Sequence, residues 1–155
     1  MYARILVPID GSEAAIRGLD EAIELASHLQ ARMWLVHVVE PYVMVTMETM
    51  PVTVHQVAQI RRAAGVGLLQ ESESQVRKAG IEVAVDLIET TGGSAGEYIV
   101  NKAQEVNADL IVCGTHGRRG VRRLLMGSDA EYIVRRALVP VLLVRSQQSA
   151  ASEAA

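Results

Sequence analysis

The sequence predicts an α/β domain: a single five-stranded parallel sheet whose strands alternate with four helices lying on both of its faces. Three observations carry this prediction. Short apolar runs at 4–9, 33–39, 109–113 and 140–145 have strand length and little polar interruption, as strands covered on both faces do. A fifth segment, 81–88, alternates apolar and polar residues, the pattern of a strand with one wetter face at the sheet edge. Between these runs the apolar residues return at helical spacing.

Each element has a local justification. In the first strand Pro8 cannot donate to a ladder, so it belongs at the strand's end, before Asp10-Gly11-Ser12. Ser12 is an N-cap for a helix with Ile16, Leu19, Ile23 and Ala26 on one face, and Gln30-Ala31-Arg32 breaks that pattern. Glu40-Pro41 ends the second strand. Residues 40–54, rich in Met and without a clean period, allow three readings: a flap over a ligand, a contact with a second subunit, or a connecting loop whose Met side chains cover core edges. A long helix runs from about Thr53 to Ala79 and ends at Gly80. Gly65 and Gly67 within it each cost about 1 kcal/mol relative to Ala, which predicts a kink or local break. Ser94 caps a third helix reaching Val106, and Ala130, Ile133, Val134 and Ala137 mark a fourth. Residues 146–155 carry no large apolar side chain and read as a disordered tail behind a 1–145 domain.

Composition narrows the function classes. The 155 residues are 50% hydrophobic, which excludes a disordered chain, and no apolar run approaches the ~18 residues of a membrane helix. The first residues enter a strand directly, without the pattern of a signal peptide. The single Cys113 lies in an apolar run, reads as a small core residue, and fits a reducing cytoplasm. Aromatics make up 3% with no Phe, and the net charge is −3, so neither stacking platforms nor general basicity points to nucleic acid.

The most informative stretch is 114–128, a loop between the fourth strand and the last helix that contains Gly114, Gly117, Gly120, Gly127 and Ser128. Helix starts offer free amides and a positive dipole end, so such loops gather anions. Ser128-Asp129-Ala130-Glu131 also fits a capping box, with Ser128 accepting from the Glu131 amide. In parallel sheets ligands sit beyond the strand ends where neighbouring connections diverge. With strands one and four adjacent, Asp10, the end of strand two and the glycine loop would border one crevice.

The stretches Ile5-Leu6-Val7-Pro8-Ile9-Asp10-Gly11-Ser12, Leu35-Val36-His37-Val38, Gly114-Thr115-His116-Gly117, Gly127-Ser128 and Pro140-Val141-Leu142-Leu143-Val144 resemble the universal stress protein family. The glycine pattern is similar to that of its ATP-binding members. The resemblance implies a Rossmann-like sheet of order 3-2-1-4-5, of the adenine nucleotide alpha hydrolase type. It also implies a cytoplasmic homodimer joined through the last strand (140–145) and a regulatory role in stress response. Carried over by position, Asp10 and the backbone of Val38 contact the nucleoside, with Pro8 beside them. Gly114, Gly117, Gly127 and Ser128 line ribose and phosphates, bordered by His116, Arg118 and Asp129. ATP is the implied ligand, with Mg²⁺ as a companion ion. Asp129 departs from the family pattern, where a small or apolar residue is usual, and beside a triphosphate it would repel unless it helps hold the metal. Arg118, Arg119, Arg122 and Arg123 either offset that charge or form a solvated loop face.

No catalytic motif accompanies these residues: there is no P-loop, nucleophile elbow or His-Glu-x-x-His. His116 alone among the four His lies on the glycine loop, where it positions the loop or assists slow hydrolysis. The reading is a nucleotide-binding regulatory module. The alternative is a dimeric interaction protein that needs no nucleotide, and a slow ATPase ranks last.

Overall fold

Five strands, β1 (Arg4–Pro8), β2 (Arg32–Val39), β3 (Val83–Glu89), β4 (Leu110–Gly114) and β5 (Val141–Val144), pair in parallel in the order β3-β2-β1-β4-β5. This is the order that the resemblance implies. In the computed structural model the described residues are 1–40, 54–116 and 126–146. The Met-bearing segment from 41 to 53, Gly117, Gly120, the four loop arginines and the tail beyond Ser146 lie outside them.

Alternation along each strand sends side chains to two cores. Ile5 and Val7 of β1, with Met33 and Leu35 of β2, pack with Leu19 and Ala22 of α1 (Glu13–Leu29) and with Leu69 and Val76 of α2 (Val54–Lys78). Leu6, Val36, Ile111 and Cys113 face the other way, against Ile99 and Val100 of α3 (Ala95–Glu105) and Ile133 of α4 (Ser128–Arg136). Helices therefore cover both faces. That is why Ile5-Leu6-Val7 is an unbroken apolar run and why all three residues are fully buried.

Helix starts follow their sequence signals at two of the four helices. The Ser12 hydroxyl accepts from the Ala15 amide at 3.2 Å and that of Ser94 from the Glu97 amide at 3.3 Å. α2, however, runs without interruption through Gly65, so a local break does not form there. Gly65 answers a tertiary need instead. A Cβ there would lie 2.5 Å from Cδ2 of the buried His37 and 2.9 Å from Leu87 Cδ1. Gly67, with nothing within 4 Å, meets no such demand. β3 begins two residues later than its alternation suggests, because Ile81 still bonds back to Val76 O at 3.4 Å behind Gly80, whose φ is +75°. Asp109 precedes β4 rather than opening it: its carboxylate accepts from the amides of Ala3 and Arg4 at 2.9–3.1 Å, fastening the start of β1 to β4.

Candidate functional site: the crevice between β1 and β4

From β1 the chain crosses through α1 to β2 on one side, and from β4 it crosses through α4 to β5 on the other. The divergence at β1/β4 is the place where parallel sheets open a ligand crevice. Registered pairing between these strands is short, Ile5↔Leu110 and Leu6↔Ile111, while the strands continue to Pro8 and Gly114. Pro8, which has no amide hydrogen, stands half-buried where β1 ends, and the ladder resumes one residue on with Ile9 N–H donating to Val36 O at 2.8 Å. Val38, half-buried, lies two residues beyond Val36 near the end of β2.

The β1–α1 turn is held by its own polar groups. Asp10 Oδ1 accepts from the Ser12 amide at 2.8 Å, an Asx turn in which the carboxylate reaches forward to the start of α1. The Ser12 hydroxyl accepts from Ala15 and donates to the His116 carbonyl at 3.4 Å, which ties this turn to the loop after β4. Beneath the turn, His37 Nδ1 meets Ile9 O at 2.6 Å in a buried contact. Neither the Ser12–His116 bond nor the His37–Ile9 bond has a sequence signal, since each joins residues distant along the chain.

The β4 side is built differently. Gly114 is needed by packing: a Cβ there would lie 2.7 Å from Ala14 Cβ and 2.8 Å from the Ala14 carbonyl carbon. α1 therefore seats directly on the end of β4. Thr115, buried, donates its amide to Val144 O at 2.9 Å and accepts from the Gly127 amide at 2.8 Å, so both ends of the glycine loop are joined at Thr115. His116 Nδ1 contacts Thr115 Oγ1 at 3.0 Å, while Nε2 is buried and has no hydrogen-bond partner among the described residues.

The capping box at Ser128 is not formed. Gly127 is the N-cap of α4, without a side-chain cap bond, and Ser128 is the first helical residue, exposed at the helix mouth. The Glu131 amide bonds to Gly127 O at 2.9 Å, and the Glu131 carboxylate turns to Arg135 at 2.8 Å instead of reaching back. With no side-chain cap at Gly127, the first amides of α4 are left without a capping acceptor from that residue. Asp129 turns to the neighbouring helix: its Oδ1 accepts from the Gly96 amide at 3.0 Å, at the start of α3. The two helix starts abut so closely that a Cβ at Gly96 would lie 2.9 Å from the Asp129 carbonyl oxygen.

The structure thus places Pro8, Asp10, Val38, Gly114, His116, Gly127, Ser128 and Asp129 at the carboxyl-end side of the sheet, where β1, β2 and β4 end and α4 begins. Gly117 and Arg118, also expected there, lie outside the described residues. The groups present fit an anion: a helix start with no side-chain cap and a buried His116 ring nitrogen with no partner among the described residues. Among the described residues no three His, Cys, Asp or Glu side chains gather where they could hold a metal ion. Burial pushes the Cys113 thiol up to about 12, so it is a core residue without nucleophilic character at neutral pH. No helix among the described residues is long and apolar enough to cross a membrane.

The family model described as universal stress protein family matches residues 1–145. The chain is 30% identical over 151 residues to the universal stress protein YxiE of Bacillus subtilis, an alignment covering 94% of this chain and 100% of the relative. Among solved structures, a universal stress protein family member from Burkholderia pseudomallei is 31% identical with a TM-score of 0.74, over 92% of this chain and 96% of that one. The universal stress protein from Archaeoglobus fulgidus in complex with dAMP is 27% identical with a TM-score of 0.64, over 92% and 98%. With the family model matched over residues 1–145 and a relative 30% identical along its whole length, the chain belongs to the universal stress protein family.

Proposed function

We propose that this protein is an adenine-nucleotide-binding regulatory module, with ATP as its ligand and the β1/β4 crevice as its site. The observation that carries the reading is the α4 start. Its glycine N-cap has no side-chain cap, Ser128 is exposed beside it, and both stand at the switch point of the sheet. The Archaeoglobus relative crystallised with dAMP supports an adenine nucleotide as the occupant. In this reading the amides and hydroxyl of Ser128 and the glycines at 114, 117 and 127 line the phosphates and ribose. His116 and Arg118 border them, and Mg²⁺ accompanies the phosphates. Pro8, Asp10 and the Val38 backbone hold the nucleoside. When bound, Mg²⁺ offsets phosphate charge. This chain's own residues bind and orient the nucleotide.

The regulatory output is a homodimer joined through β5 in the cytoplasm, whose contacts the bound nucleotide biases. β5 is an edge strand with its outer side unpaired in the sheet, and Leu142 on it is 40% exposed while Leu138 just before it is 82% exposed. A nucleotide can shift such an equilibrium only by binding one state more tightly. Two observations favour the alternative of a nucleotide-independent interaction protein: Gly114 has a packing role in the fold, and Asp10 closes its own turn.

Calorimetric titration with ATP and AMP, and mass spectrometry of gently purified protein, test the reading. The expected outcome is saturable binding that Gly117→Val abolishes, with adenine nucleotide co-purifying. No binding at millimolar ATP with Mg²⁺ leaves the interaction protein standing. Sedimentation with and without nucleotide tests the dimer: a Leu142→Lys variant should sediment as a monomer.

A further inference from the structure

Asp129 carries a charge that opposes the phosphates of the proposed ligand, and the structure shows what it does instead. Its Oδ1 accepts from the Gly96 amide at 3.0 Å, within the first turn of α3. At the same time Asp129 is the second residue of α4. The carboxylate therefore sits at two helix starts, each the positive end of a dipole that favours a negative charge. It is a resident anion for both. An incoming phosphate at Gly127–Ser128 meets a field that Asp129 has already partly neutralised.

We infer that Asp129 is a specificity-determining residue of this crevice, biasing it toward nucleotides that carry fewer phosphate charges. The inference rests on the nucleotide reading above. The bond from the Gly96 amide anchors the carboxylate at the helix start. A fixed unit charge ~7 Å away in a water-like medium changes affinity by about threefold for each added phosphate charge. AMP and ATP differ by roughly two such charges, so Asp129 should account for about a five- to tenfold difference between them.

The test separates charge from anchoring. In Asp129→Asn the amide oxygen can still accept from Gly96 while the charge is gone. Asp129→Ala loses both. Glu131→Gln removes an equal charge from the same helix, but from a side chain paired with Arg135 on the exposed face. Affinities for AMP and ATP are measured by calorimetry in EDTA, so that the phosphates keep their full charge. The expected result is that Asp129→Asn raises the ATP-to-AMP affinity ratio about five- to tenfold, with an unfolding midpoint near that of wild type. Glu131→Gln should leave the ratio within about twofold. An unchanged ratio in Asp129→Asn, with wild type binding both nucleotides, overturns this inference and leaves the nucleotide site intact. A wild type that binds neither nucleotide, in EDTA or with Mg²⁺, overturns the site itself. A rise in ratio seen equally in Glu131→Gln shows a net-charge effect and also overturns the role assigned to Asp129.

Discussion

The two helix starts that flank the crevice are constructed on opposite plans. At α1, Ser12 caps the helix, Asp10 caps the turn before it, and the Ser12 hydroxyl also reaches the His116 carbonyl. That start meets its needs from within the chain. At α4, a glycine stands where a capping side chain would be, and the adjacent Ser128 hydroxyl does not replace it. A helix start left this way is less stable by itself, since a side-chain cap is worth about 1 kcal/mol. The comparison teaches that the two sides of one crevice can divide their labour: the α1 side supplies rigidity, and the α4 side supplies donors.

The largest expected effect comes from disturbing the rigid side. Gly114→Val places a Cβ 2.7 Å from Ala14 Cβ and 2.8 Å from its carbonyl carbon, where no rotamer change can relieve it. Overpacking of this kind costs about 3 kcal/mol or more, a fall of roughly 6–12 °C in the unfolding midpoint. Thermal unfolding followed by circular dichroism measures it. A midpoint within a degree of wild type would show that α1 does not sit on β4 as described.

Next is a pair of substitutions in α2. Gly65→Ala and Gly67→Ala gain the same helix propensity, about 1 kcal/mol. At 67 the methyl group meets nothing within 4 Å, so urea unfolding should show a gain of about that size. At 65 it strikes the His37 ring, which contacts Ile9 O just before the Asp10 turn, so the net change should be a loss of about 1–2 kcal/mol. Equal effects at the two positions would mean that His37 yields freely, and that the α1-side turn is not braced from below.

The same pair shows what the sequence can reveal. Periodicity and caps are local, so Ser12, Ser94 and the strand runs announce themselves, and the strand order follows from motifs that resemble the family. Gly65 does not announce itself: its reason is a ring from a strand 28 residues earlier in the chain. Ser128 misleads for a different reason. Ser-x-x-Glu suits either a capping box or a serine at N1 behind a glycine cap, and only the main-chain path decides. Asp129 is legible as an oddity but not as an answer, because its partner Gly96 lies 33 residues away on another helix.

A smaller effect tests the division of labour directly. Ser12→Ala should cost about 1 kcal/mol of stability, because the Ala15 amide loses its acceptor. Ser128→Ala should cost less than about 0.5 kcal/mol, having no cap to remove, yet lower nucleotide affinity about tenfold through a lost bond to phosphate. Reversed outcomes, with Ser128 governing stability and Ser12 affinity, would exchange the roles given to the two helix starts.

The smallest effect concerns Cys113, which packs with Ile133 of α4 in the core behind the crevice. Burial raises its thiol from 9.0 to about 12 in the folded protein. Below pH 9 both folded and unfolded thiols are protonated and the group does not affect the pH dependence of stability. Between 9 and 12 the unfolded thiol ionises while the folded one does not, so stability falls as pH rises, by about 0.8 kcal/mol at pH 9.5. The downward slope of urea stability between pH 8.5 and 9.5 should be shallower in Cys113→Ala than in wild type, whatever the cavity does to the absolute value. The same thiol reports on α4. At pH 8 an alkylating reagent reaches it only through opening of the core, so a nucleotide seated on the α4 start should slow labelling as it raises the opening free energy. Labelling that slows with AMP in wild type but not in Ser128→Ala would tie the donor side of the crevice to the packing beneath it. Labelling indifferent to nucleotide in a protein that binds it would confine the ligand's influence to the crevice surface.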